Sequence, residues 1–138
     1  MERIIIMASH HKLADGLKDT LNFVTGGVCP VVALSAYLDN KPVEGEVAAL
    51  MDTFAPDQEL VILTDTTSGS VNQNFYKYRT RPHTHIISGM SLPLAVMLAL
   101  ESTADYLTED RVRQIVAAAR EEIKYMADIA ADEDDEDE

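Results

Sequence analysis

The 138-residue chain has a single cysteine, Cys29, so no disulfide can form within it. A lone thiol in an apolar run reads as a buried side chain and fits a reducing, cytoplasmic compartment. No apolar run approaches the roughly 20 residues that cross a bilayer, and the N-terminus lacks the basic-then-apolar layout of a secretory signal. Positive charge is scarce: 11 Lys and Arg stand against 24 Asp and Glu, for a net charge of −13. Such a surface repels phosphate backbones, which speaks against nucleic acid as a partner. P-loop, GxGxxG and GxSxG patterns are missing too, and with them the common nucleotide and esterase signatures.

What is present is 46% apolar sequence, enough for one domain with one core. The charge is unevenly spread. Residues 132–138 are all acidic and supply seven of the negative charges, leaving −6 for the rest. We therefore expect a folded domain over 1–131 and a disordered acidic tail over 132–138.

Periodicity alternates between strand and helix. Strands are expected at Ile4–Ala8, Val28–Ser35, Leu60–Thr64 and His85–Gly89, with Pro30 marking the second as nearer an edge. Helices are expected from Lys12 to the Gly26-Gly27 stop, at Val43–Phe54, Ser70–Tyr78 and Leu92–Leu100, and from Glu109 to Ile129. This order predicts an α/β fold in three layers, a mostly parallel central sheet with helices on both faces. Right-handed crossovers then gather the turns after the strands on one edge: Ser9-His10-His11, Ala36 to Asp39, Asp65 to Ser70, and Gly89-Met90-Ser91.

Chemistry concentrates on that edge. His10 ends the first strand and Asp65 ends the third; if their loops are adjacent, the carboxylate fixes the imidazole tautomer and leaves the other nitrogen as nucleophile or base. The turn Thr66-Thr67-Ser68-Gly69-Ser70 before a helix offers hydroxyls and N–H groups to an anion, although the same residues also serve as plain turn and cap. His83-Thr84-His85 has metal-compatible spacing but precedes its strand, at the opposite edge, and is read as structural. Tyr76 to Arg81 mixes aromatics and cations and is read as a helix end, and the methionines at 51, 90, 97 and 126 as core filler.

Three segments together resemble the IIA component of the mannose-type (mannose, fructose, sorbose) sugar phosphotransferase system. They are Ala8-Ser9-His10, Leu63-Thr64-Asp65-Thr66 leading into Ser68-Gly69-Ser70, and Gly89-Met90-Ser91-Leu92-Pro93-Leu94, which is similar to the family's Gly-x-Asn-x-Pro-Met. The resemblance spans roughly the first hundred residues. It implies that His10 carries a phosphoryl group, with Asp65 orienting it and Ser9, Thr66, Ser68, Gly69 and Ser70 around the phosphoryl oxygens, without metal or cofactor. It also implies the histidine phosphocarrier protein as donor, a IIB component as acceptor, membrane IIC and IID components downstream, and a homodimer exchanging an antiparallel C-terminal edge strand. That strand would fall near Ile123–Ile129, and the acidic end in place of a hinge points to IIB as a separate chain. Two other readings stay open: a hydrolase using Ser70, His10 and Asp65, and a non-catalytic regulatory module of the same fold.

Overall fold

A computed structural model describes residues 1–39 and 41–130, so the expected acidic tail lies outside the described residues. The elements run β1 (Arg3–His10), α1 (Leu13–Thr25), β2 (Val31–Ala36), α2 (Val43–Met51), β3 (Glu59–Thr64), α3 (Ser70–Tyr76), β4 (Thr84–Ser88), α4 (Leu92–Ala99) and α5 (Glu109–Arg120), with short 3-10 turns at Lys77–Thr80 and Met126–Asp128. The four strands form one parallel sheet in the order β2-β1-β3-β4.

Central and edge strands differ as their sequences require. A parallel strand covered on both faces has no polar side, so β1 and β3 read as unbroken apolar runs and are buried along almost their whole length. Side chains alternate between faces. Ile5, Met7, Val61 and Leu63 meet Ala14 and Leu21 of α1, Leu94 and Leu98 of α4, and Ile115 and Ala119 of α5. Ile4, Ile6, Leu60 and Ile62 meet Val43, Val47 and Met51 of α2 and Val71 and Phe75 of α3. The three-layer expectation holds.

Several boundaries shift for identifiable reasons. β2 starts at Val31 rather than Val28, because Pro30 has no N–H to give; its carbonyl still accepts from the Ile5 N–H at 3.0 Å. β2 is an edge strand, as Pro30 foretold. Helix α1 stops at Gly26 and Gly27, both at φ 73°, where glycine reverses the chain without steric cost. Helix α5 ends at Arg120, nine residues short of the expected Ile129. The periodicity Ile115, Ala119, Ile123 continues, but the layer beneath it does not, and Ile123 is 86% exposed. Residues 121–130 form a 3-10 turn and no strand in the single chain. Met126 is exposed rather than core filler, whereas Met51 is buried and Met90 and Met97 pack against the core.

At the N-terminal edge of the sheet Arg3 and Glu59, both buried, form an ion pair. Arg3 also donates to the carbonyls of Glu101, Ser102 and Asp105, and Glu59 accepts from the Leu107 N–H at 2.6 Å. The pair thereby ties the segment between α4 and α5 to the sheet. His83 stacks on Tyr106 at 3.6 Å between ring centres, and His85 Nε2 lies 3.1 Å from the Leu107 carbonyl. Both histidines hold this same segment, at the opposite edge from His10. Cys29 is buried, and burial pushes its thiol pKa above the ordinary value.

Candidate functional site

Adjacent parallel strands bring residues distant in sequence into lateral register, and here Ala8 lies beside Thr64. β1 continues two residues past that point to His10, and Asp65 follows Thr64 directly. Asp65 Oδ2 accepts from the His10 backbone N–H at 2.7 Å and lies 2.7 Å from His10 Nδ1, while Oδ1 accepts from the Thr66 N–H at 3.0 Å. The carboxylate is 9% exposed and the imidazole 45%. Burial alone would raise the Asp65 pKa. The His10 backbone N–H, the His10 ring and its charge, and the Thr66 N–H together outweigh it and hold the carboxyl below its ordinary value. With Nδ1 occupied, Nε2 is the ring nitrogen left for chemistry.

The turn after Asp65 closes against the imidazole. The Gly69 N–H donates to the Thr66 carbonyl at 3.3 Å, making a tight turn. A side chain at 69 would collide with Thr66 Oγ1 and come within 3.1 Å of His10 Cε1, so glycine is required by space rather than by its φ of −76°. The turn is braced from both sides. Asn72 accepts from the Thr64 hydroxyl at 2.8 Å and donates to the Thr67 carbonyl at 2.9 Å, and the Thr67 and Ser88 hydroxyls meet at 2.6 Å. The Gly89 and Met90 N–H groups both donate to the Thr64 carbonyl at 2.9 Å, so the Gly-Met-Ser-Leu-Pro-Leu segment steadies the strand end that carries Asp65.

Of the expected site residues, His10, Asp65, Thr66, Gly69 and Ser70 come together, and Ser68 lies exposed on the same turn. Ser9 does not join them. It is fully buried, and its hydroxyl accepts from the Ala14 N–H at 2.7 Å and donates to the His11 carbonyl, which starts α1 in place of a conventional cap. Strand alternation explains this: Ser9 shares the face of Ile5 and Met7, and His10 does not. The Ser70 hydroxyl is 2.5 Å from that of Tyr37, whose ring stacks on His10 at 5.2 Å and 23°. Tyr37 stood in the sequence as part of a rim loop, and nothing in its neighbours signals this contact. Among the described residues Ser70 makes no hydrogen bond to His10, so the nucleophile–base contact of the hydrolase reading is not formed.

A cleft of about 660 Å³, lined by Arg3, Val28, Cys29, Leu100 and neighbours, lies at the other edge of the sheet, away from this constellation. The site itself is an open rim on which the imidazole is half exposed. Residues 4–116 match the family model of the PTS system fructose IIA component. The chain belongs to that family. A structure from Klebsiella pneumoniae subsp. pneumoniae, described as a phosphoenolpyruvate-dependent sugar phosphotransferase system (PTS) permease, is 34% identical, with 93% of each chain covered and a TM-score of 0.85. The mannose/sorbose-specific IIA subunit from Enterococcus faecalis shares the fold at 15% identity, covering 91% of this chain and 95% of its own, TM-score 0.73. So does the PTS IIA protein associated with the fucose utilization operon of Streptococcus pneumoniae, at 22% identity, 92% and 95% coverage and TM-score 0.73. A search of curated proteins gives no significant match. The protein is thus a IIA component of a sugar phosphotransferase system, a class of phosphotransferases that work with a phosphocarrier and IIB proteins. Among the described residues no helix is long and apolar enough to cross a membrane.

Proposed function

We propose that this IIA component carries the phosphoryl group on His10 Nε2, taking it from the histidine phosphocarrier protein and passing it to a IIB component. The observation that carries the reading is the 2.7 Å contact of Asp65 with Nδ1, which leaves the exposed face of the ring to Nε2. In the transfer, the N–P bond of the donor histidine breaks and its electron pair stays on the donor nitrogen. The Nε2 lone pair makes the new N–P bond, and the Nδ1 proton remains shared with Asp65. Three groups of requirements are met by this chain's own residues: in-line access, a fixed tautomer, and donors for the equatorial oxygens. Thr66, Ser68 and Ser70 supply hydroxyls, and Gly69 leaves the space the phosphoryl oxygens need. Ser9 acts behind the site, by shaping the turn that presents His10.

The same reading includes a cytoplasmic protein with the folded domain over 1–131, acting through IIB on membrane IIC and IID components. It also includes a homodimer in which residues near Ile123–Ile129 add to a partner's sheet edge. Exposure of Ile123, Tyr125 and Met126 in the single chain supports that last element. Incubation with phosphoenolpyruvate and the two general phosphotransferase proteins should add one acid-labile phosphate to the protein and none to His10→Ala. Normal labelling of His10→Ala overturns the assignment, and labelling without onward transfer to a IIB acceptor favours the regulatory module instead.

A further inference from the structure

Tyr37 stands in a conformation that its sequence does not favour. Its φ is 64°, in the left-handed region that bulky side chains rarely occupy, and it lies where an edge strand runs out. Register explains what this achieves. His10 is the β1 partner of Ala36, the Ala36 carbonyl accepts from the His11 N–H at 2.7 Å, and His11 is itself left-handed at φ 54°. The two strand ends therefore turn away together, and the residue after Ala36 falls beside the imidazole with its ring stacked. Nothing buries Tyr37, which is 48% exposed, so core packing does not account for the strained backbone.

We propose that Tyr37 is a positioning residue for phosphoryl transfer, its ring fixing the imidazole plane and its hydroxyl completing the donor set with Ser70. The proposal rests on the reading of His10 as the phosphoryl carrier. Asp65 holds Nδ1 and Tyr37 covers a ring face, so the imidazole is restrained on two sides while Nε2 stays open. Two hydroxyls carry two protons, and the 2.5 Å pair of Tyr37 and Ser70 consumes one of them. The other is free for an outside acceptor. A phosphoryl group offers acceptors and no donor, so on its arrival both hydroxyls can turn their protons to it without first losing a buried partner.

The test compares wild type, Tyr37→Phe and Tyr37→Leu by quench-flow transfer from the phosphorylated phosphocarrier, with NMR of the His10 ring in parallel. Tyr37→Phe keeps the stack and loses the hydroxyl. It should slow the transfer step about tenfold, the worth of one donor to a charged acceptor at a half-exposed site, with the half-saturating phosphocarrier concentration unchanged. Tyr37→Leu should slow it further and shift the His10 Cε1–H resonance by loss of the ring current, which Tyr37→Phe preserves. Transfer by Tyr37→Phe at the wild-type rate, equal slowing by both variants, or an effect confined to the half-saturating concentration each overturns the proposal. A wild-type protein that takes no label on His10 removes the carrier reading and Tyr37's role with it, whereas normal wild-type labelling with an unaffected Tyr37→Phe removes only the latter.

Discussion

Replacing Asp65 by Asn tests the site at its hinge, because the two side chains have the same shape and differ in how many hydrogens they can accept. The carboxylate accepts three hydrogen bonds: Oδ2 from the His10 N–H and from Nδ1–H, and Oδ1 from the Thr66 N–H. An amide has one carbonyl oxygen and one NH₂. If its oxygen takes the Oδ2 position, the NH₂ faces the Thr66 N–H; if it takes the Oδ1 position, the NH₂ faces both His10 groups. Either way donors oppose donors, and in the second arrangement Nδ1 must become the acceptor, which moves the ring proton to Nε2 and removes the lone pair that bonds phosphorus. A hydrogen bond to a charged group is worth about 1.5–3 kcal/mol. At about 1.4 kcal/mol per factor of ten, the variant should accept phosphate roughly ten to a hundred times more slowly. Quench-flow labelling measures the rate, and ¹⁵N spectra of the imidazole report which nitrogen bears hydrogen. The spectra tell the two arrangements apart, and a folded Asp65→Asn protein that labels at the wild-type rate refutes the reasoning.

The other predictions concern the turn, the acid limb of stability and the far edge of the sheet. Gly69→Ala should slow labelling by about tenfold or more through displacement of Thr66 and His10, while urea stability stays within about 1 kcal/mol of wild type because φ at 69 suits alanine; equal rates contradict the steric account. The Asp65 carboxyl is held below its unfolded value of about 3.9, so its contribution to stability is present above that pH and is lost as pH falls through the lower folded value. The stability gap between wild type and Asp65→Asn in urea titrations should therefore close as pH falls from 5 toward 3, and a gap unchanged at pH 3 would contradict it. Arg3→Met strands the fully buried Glu59 and frees three carbonyls, at a cost of about 3–5 kcal/mol by urea denaturation. A loss under about 1 kcal/mol would show that the pair is not what holds the 101–107 segment.

Legibility in the sequence followed the physics of each element. β1 and β3 were readable because burial on both faces leaves an apolar run with no polar interruption, and α1 because Gly26-Gly27 ends it chemically. The end of α5 was not, since Ile123 keeps the helical spacing and what stops the helix is the lack of a layer to pack on, a tertiary fact. Ser9 was readable in principle: counting by twos from Ile5 and Met7 puts it on the inner face, and the family motif drew it to the site instead. Tyr37 was out of reach, because a left-handed φ and a ring stacked on His10 leave no trace in residue order.

Nor does residue order say that His10 and Asp65 meet; strand order does. The chain goes from β1 to β2 on one side, then passes back over β1 to β3 and on to β4, so the direction of strand addition reverses between β1 and β3. Helix α1 leaves β1 toward the face that holds Met7 and Leu63, and α3 leaves β3 toward the face that holds Ile6 and Ile62. The two loops must therefore part at that seam, and an open α/β sheet has its natural crevice there. A histidine ending β1 and an acid ending β3 consequently share a crevice floored by strand ends and walled by two diverging loops. Had the order been β1-β2-β3-β4, an intervening strand would separate them by about 10 Å, twice the strand spacing, and no turn at 66–70 could restore a 2.7 Å contact.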